Sequence, residues 1–315
     1  MSETVVIGFL TAMIATGTPL LFGALGEVMA ERSGVLNLAL EGSMLAGALI
    51  SFLVAWRTHH LWLGLLVGAI AGVAVALVMA FLCVSLLTNQ VVTGTVLNIL
   101  ALGVTNFVYA QVAGTALSPP HVSLFPNVVI PGLSHLRFIG PVLFQNPLLV
   151  YIAILLVPAS GWFLYHTRGG LALRATGEDP RAVASVGMSV LRIRYLAVLY
   201  AGLMAGIGGA YLVLGQVGFY TPNVTAGRGF VAIAIVVFGR WNPYRILGAA
   251  AFFGATEALQ ERLQALGISL PAQFLLMLPY LLVVVALLVS IRGRGEVGTP
   301  AGPRFLTIPY EREAL

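Results

Sequence analysis

Glu41 is a carboxylate inside an otherwise apolar stretch, Val35 to Trp56, with Ser33 and Asn37 eight and four residues ahead of it. Residues four apart share a helix face, and an ionisable side chain within a membrane-length helix is a functional candidate by default. The arrangement offers a polar solute an amide and a carboxylate. The other reading places Glu41 near the membrane boundary, satisfied by backbone groups or by Arg32. A second set is amide-based: Thr95, Asn98 and Thr105 lie close to one helical face with Asn106 beside it, and Gln216 and Asn223 sit near the end of a later apolar run. Such side chains can bind the hydroxyls or base of a neutral solute, or hydrogen-bond helix to helix. Asn37, Glu41, Asn98, Asn106 and Gln216 are therefore the substrate-pathway candidates. Phe219 and Tyr220 can stack on a base or anchor the chain at the membrane interface.

The third group is charged. "GEDPRAVASVG", Gly177 to Gly187, holds Glu178, Asp179 and Arg181 in a chain with only 9% charged residues. Asp179 is a good N-cap, Pro180 suits the first helical position, and Gly187 can end the helix with a left-handed backbone. The pattern predicts a helix of about two turns, too short to be stable alone. It either docks onto something or is a solvated device that reverses the chain. Glu257, Glu261 and Arg262 read as a solvated helix end on the outer surface, with contact to an extracytoplasmic partner as the second reading.

Several chemistries are excluded. All 16 basic residues are arginine, so the chain contains neither a P-loop lysine nor a Schiff-base lysine. The single cysteine, Cys83, lies in an apolar run, and histidines 59, 60, 121, 135 and 166 have no acidic or thiol neighbours at metal-ligand spacing. "GRGEVG", Gly293 to Gly298, matches G-x-G-x-x-G but opens no βαβ unit. No metal, cofactor or catalytic residue is expected in this chain. The pI near 9.7 comes from arginines in loops beside apolar segments, which points to membrane topology and not to nucleic acid.

These residues need a membrane scaffold to position them. The chain of 315 residues is 59% hydrophobic with mean hydropathy +0.98, the composition of an integral membrane protein, and a span needs about 20 apolar residues. Solid apolar runs predict an all-α polytopic membrane bundle in a single domain, 1–315, since open sheet edges cannot be satisfied in lipid. Spans are expected near 4–26, 35–56, 61–87, 91–112, 146–166, 195–217, 246–266 and 272–291. The "MSETVV" terminus lacks a basic n-region, so the first is read as a retained span. The loop 167–194 is rich in arginine and the loop 113–147 is not. The first is therefore cytoplasmic, the second extracytoplasmic, and the tail 292–315 cytoplasmic. An N-out, C-in chain then needs nine crossings, so "GFVAIAIVVFG", Gly229 to Gly239, must cross as a broken or half-length helix. The alternative is eight crossings with this segment re-entrant. Gly202 and Gly206, and the row Ala201, Ala205 and Gly209, suit close helix packing.

Three stretches carry a family resemblance. "GGLALRATGEDPRAVASVGMSVLRIRYLAVLYAGLMAGIGGAYLVL", Gly169 to Leu214, resembles the coupling loop and following helix of permease subunits in bacterial ABC importers of the branched-chain amino acid, ribose and nucleoside branch. "GEVMAERSGVLNLALEGSMLAGAL", Gly26 to Leu49, resembles that branch's N-terminal signature, and "GRGFVAIAIVVFGRWNPYRILGAAAFFG", Gly227 to Gly254, its later Gly-rich signature. "ERSGVLNLALEG" and "GRWNP" are most similar to nucleoside importer permeases. The resemblance implies a type II permease of the kind found in vitamin B12 importers, in the plasma membrane of a bacterium. It also implies a similar second permease, a cytoplasmic ATPase that uses ATP and magnesium, and an extracytoplasmic substrate-binding lipoprotein. By position, Gly177, Glu178, Asp179, Pro180, Arg181, Ala182 and Gly187 then couple the pore to the ATPase. The substrate implied is a nucleoside, with a simple sugar such as a pentose as the alternative. An ion-coupled secondary carrier is the reading from a different class; it would bury coupling carboxylates near the midplane.

Overall fold

Helix α1 (Glu3–Arg32) continues past the expected stop at Gly26, because nothing in "GEVMAER" breaks a helix before the turn at Ser33 and Gly34. In the computed structural model, which describes residues 3–113, 120–129, 131–132, 134, 139–265, 277, 281 and 302–311, it is followed by α2 (Leu40–Thr58), α3 (Leu61–Ala80) and α4 (Gln90–Ala113). A π-helical turn, Phe81–Ser85, extends α3. Next come strand β1 (Asn127–Val129), the short α5 (Ile139–Leu143), strand β2 (Gln145–Pro147) and α6 (Leu148–His166). The charged loop folds as α7 (Arg168–Glu178) and α8 (Pro180–Ser185), leading into α9 (Val190–Tyr211) with its own π-helical end, Leu212–Val217. Then follow α10 (Arg228–Phe238) and α11 (Pro243–Ala265). The expected span 272–291 apart from Met277 and Leu281, the residues His135, Arg137, Arg292, Arg294 and Arg312, and the motif Gly293–Gly298 lie outside the described residues.

Six helices, α1, α2, α3, α4, α6 and α9, are long and apolar enough to cross a membrane, which makes this an integral membrane bundle. Two local expectations change. The loop 113–147 is not purely irregular: β1 and β2 pair antiparallel, with Val128 opposite Asn146. Ser33, Asn37 and Glu41 do not share a helix face, because residues 33–39 form turns and extended chain between α1 and α2. Only Glu41 is helical.

The core forms where α2, α3 and α9 meet, with α1 packed along α9. The small-residue rows explain the closeness. A methyl added at Gly206 would sit 2.8 Å from the Gly68 carbonyl oxygen and 2.9 Å from the Ala69 Cα. Glycine here lets α3 and α9 touch backbone to backbone, the contact that lipid-embedded helices use in place of a hydrophobic drive.

The link 33–39 climbs back along α1 before α2 begins. Gly23 packs on Leu40 and on Ala232 of α10, so α2 starts beside a point about 14 Å from the Arg32 end of α1, at 1.5 Å per residue. Helix α10 has 11 residues, the half-length element expected for this segment. It begins at that depth and ends where Trp241 meets Glu31 and Arg32.

Candidate functional site

Glu41, in the first turn of α2, accepts hydrogen bonds from the Thr225 hydroxyl at 2.5 Å, the Gly227 N–H at 2.9 Å and the Gly229 N–H at 2.6 Å. These groups form the N-terminus of α10, whose first amides have no partner inside the helix. The carboxylate therefore caps a helix that begins inside the bundle, where unpaired amides are costly and the positive helix end favours an anion. Arg32, the alternative partner expected for Glu41, donates instead to the Trp241 carbonyl.

Asn98 closes the other side of the same turn. Its Oδ1 accepts from the Gly42 N–H at 2.8 Å and its Nδ2 donates to the Leu38 carbonyl at 2.7 Å. Asn37 is fully buried; its backbone N–H donates to Glu27 Oε1 at 2.8 Å. Three of the five pathway candidates thus converge at residues 37–42, where Glu41 and Asn98 are engaged in holding backbone. The other two lie elsewhere. Gln216 donates from Nε2 to the Ala15 carbonyl. Asn106 sits about 12 Å further along α4 than Asn98, with a buried Oδ1 that has no protein partner.

Glu27 and Glu31 are both fully buried and were not expected, because the first span was taken to end at Gly26. Glu31 Oε2 accepts from the Trp241 indole N–H at 2.5 Å. Glu27 Oε2, Glu31 Oε1 and both amide atoms of Asn37 have no protein hydrogen-bond partner. The signal available was the four-residue spacing of Glu27 and Glu31 in a segment with no breaker before Ser33.

The aromatic and charged expectations sort differently. Tyr220 is fully buried, its ring 4.9 Å from Tyr109 and 6.2 Å from Phe52, so it is a core residue and not an interfacial anchor. Phe219 meets the His121 ring at 5.4 Å. Glu257 is not solvated either: Arg228, at the start of α10, donates to its Oε2 at 3.2 Å, with side chains only 20% and 14% exposed. Arg262 does lie at an exposed end, donating to the Val5 carbonyl.

At the Arg32 end lies the charged loop. Asp179 caps α8 by accepting from the N–H groups of Arg181 and Ala182 at 3.0 and 3.2 Å, with Pro180 in the first turn and Gly187 at φ +81° after it. This is the local structure that "EDPRAVASVG" predicts. Helix α7 was not foreseen; it is capped by Thr167, which accepts from Gly170 N–H. Gly177 packs against Pro303 and the end of α1, and its carbonyl accepts from Phe305 N–H at 2.8 Å. Thr307 N–H donates to the Gly34 carbonyl at 3.1 Å, and the buried Arg194 bridges the carbonyls of Ser33 and Ile308. The tail thus ties α7 to the ends of α1 and α9. Beyond α8 the loop exposes apolar side chains, Val186 at 72% and Met188 at 44%.

Membrane-length helices packed with a half-length, internally capped helix, and a helical charged loop at one end, define a polytopic helical membrane protein. Comparison with known proteins gives its family: the model described as branched-chain amino acid transport system / permease component matches residues 9–287, and the chain belongs to that family. It is 42% identical over 267 residues to a putative glucose ABC transporter permease of Haloferax volcanii, covering 84% of this chain and 80% of the relative. It is 34% identical over 308 residues to a guanosine ABC transporter permease of Bacillus subtilis, covering 95% of each. A nucleoside ABC transporter permease of Lactococcus lactis is 33% identical over 286 residues, 87% of this chain and 89% of the relative. No solved structure matches significantly. The chain is a permease subunit of an ABC transporter, and that assignment sets aside the ion-coupled carrier.

Proposed function

We propose that this permease imports nucleosides across a bacterial plasma membrane, as half of a two-permease pore of type II architecture. It crosses the membrane nine times, N-out and C-in. A cytoplasmic ATPase binds α8 and an extracytoplasmic lipoprotein delivers the solute. The observation that carries the coupling role is α8 itself: a rigidly capped helix, followed by the exposed Val186 and Met188, beside Glu178, Asp179 and Arg181, and joined through α7 to the ends of α1 and α9. A movement of the ATPase at α8 passes into the bundle as displacement of those helices. Gly177, Glu178, Asp179, Pro180, Arg181, Ala182 and Gly187 form or flank this contact.

The nucleoside reading draws on the guanosine and nucleoside relatives, aligned over most of both chains. A sugar is the second reading, because a relative named for glucose is 42% identical. The side chains of Asn37 and Asn106, which have polar atoms without a protein partner, and the Tyr109–Tyr220 ring pair suit an uncharged solute with hydroxyls or a flat base.

Reconstitution with the ATPase, the second permease and loaded binding protein tests both parts. Arg181→Glu and Val186→Asp are expected to abolish solute-stimulated ATP hydrolysis while the chain still inserts and melts normally. Full stimulation in these variants removes α8 from the coupling role. Guanosine is expected to stimulate uptake where glucose and pentoses do not; stimulation by a sugar alone would assign the transporter to sugars.

A further inference from the structure

A cavity of about 470 Å³ lies between α6 and α9, next to the charged loop, whose Met188 is part of its lining. Met29 of α1 lines it, together with Phe163 of α6, Leu173 of α7, and Leu196 and Tyr200 of α9. Its polar side chains are Ser160 and Tyr200. Helices α6 and α9 both pack on α7, which floors the slot at the Arg32 end of the bundle. From Leu156 to Phe163 and from Ile193 to Tyr200 the walls run about 10 Å along their helices. The helices beside the slot present Leu155 at 70% exposure, Trp162 at 63% and Leu196 at 68%, so the face around it is apolar.

The rim is basic. Gly169 and Ile193 line the cavity, and their chain neighbours Arg168 and Arg192 are exposed. Neither guanidinium has a hydrogen-bond or ion-pair partner among the described residues. The acidic pair Glu178 and Asp179 is at the far end of α7, about 15 Å from Arg168. An apolar slot with two exposed arginines next in sequence to its lining residues matches one ligand class, since basic pockets between membrane helices hold anionic headgroups.

We propose that this slot binds an anionic phospholipid, with an acyl chain between α6 and α9 and the headgroup phosphate on Arg168 and Arg192. The bound chain supports α7 from the membrane side and so sets the height of α8. The assignment of the lipid to the cytoplasmic leaflet rests on the topology proposed above; lipid binding itself does not.

The full chain, purified and placed in nanodiscs of phosphatidylglycerol and phosphatidylcholine, would be released in native mass spectrometry and its retained lipids counted. Phosphatidylglycerol is expected to be preferred about thirtyfold, the equivalent of two surface arginines at about 1 kcal/mol each. Arg168→Gln with Arg192→Gln is expected to bring the two lipids to parity. Ala159→Trp, at an exposed lining position, is expected to remove the retained lipid of either kind. Equal retention of both lipids by the wild-type chain, or unchanged retention in Ala159→Trp, overturns the proposal. So does loss of the lipid when the second permease joins, which would make the slot a protein interface. Lipid retention is read on the isolated chain without the ATPase, so a failure here is distinguishable from a failure of the coupling role of α8.

Discussion

At Glu41 the desolvation of a carboxylate is offset by three donors that would themselves be unpaired without it. Removing one side of such an arrangement leaves the other side exposed to the full penalty, about 1–3 kcal/mol per buried group. Glu41→Ala is therefore expected to lower the melting temperature of the purified chain markedly, and Glu41→Gln, which keeps an acceptor oxygen, to fall between it and wild type. An alanine variant that melts with wild type would show that the cap carries no stability. Glu41 could be singled out from its place in an apolar run, but not its partner, because Thr225 is 184 residues away. The same holds for Asn98, which was picked out as a polar group on α4 and turns out to hold the first turn of α2. Their residue type signalled an unusual site; only tertiary contact assigned it to the backbone.

Among the elements, α8 was the most legible, because every device that makes it is local: the Asp179 cap, Pro180 in the first turn and Gly187 after it. Asp179→Ala is expected to cost about 1 kcal/mol of helix stability, seen as faster hydrogen exchange at the Arg181 and Ala182 amides with the rest of the bundle unchanged. Unaltered exchange there would contradict the capping role. The contact of α3 with α9 is a different case, since the glycine rows announced a close approach without naming the partner. Gly206→Val places a branched Cβ 2.8 Å from the Gly68 carbonyl oxygen, and overpacking of this kind costs about 1–3 kcal/mol. Poor recovery of folded protein is the expected outcome, and Gly103, which has open space around it, should tolerate the same change. The boundary of α1 was misjudged by six residues because charge was read as the end of the span. Glu31 is held by the Trp241 indole, 210 residues downstream, and Glu27 by the returning link at Asn37.

For the molecule as a whole, the orientation proposed above rests on where the arginines fall. In a Cys83→Ser background, a cysteine at Ser185 in α8 is expected to react with a membrane-impermeant maleimide only from the cytoplasmic side. A cysteine at Val128 in β1 should react only from outside. The reverse pattern would invert the topology. Membrane class, helical composition, most span positions, the broken helix and the capped loop follow from the sequence by itself, because each depends on composition or on residues within a few positions of one another. Tertiary structure alone decided what the buried polar groups do: Glu41 holds the start of α10, Asn98 the start of α2, Arg194 the tail, and Glu257 pairs with Arg228. The physical reason is that in a medium without water each such group must find a partner inside the protein, and which partner it finds depends on how helices distant in the chain come to lie side by side.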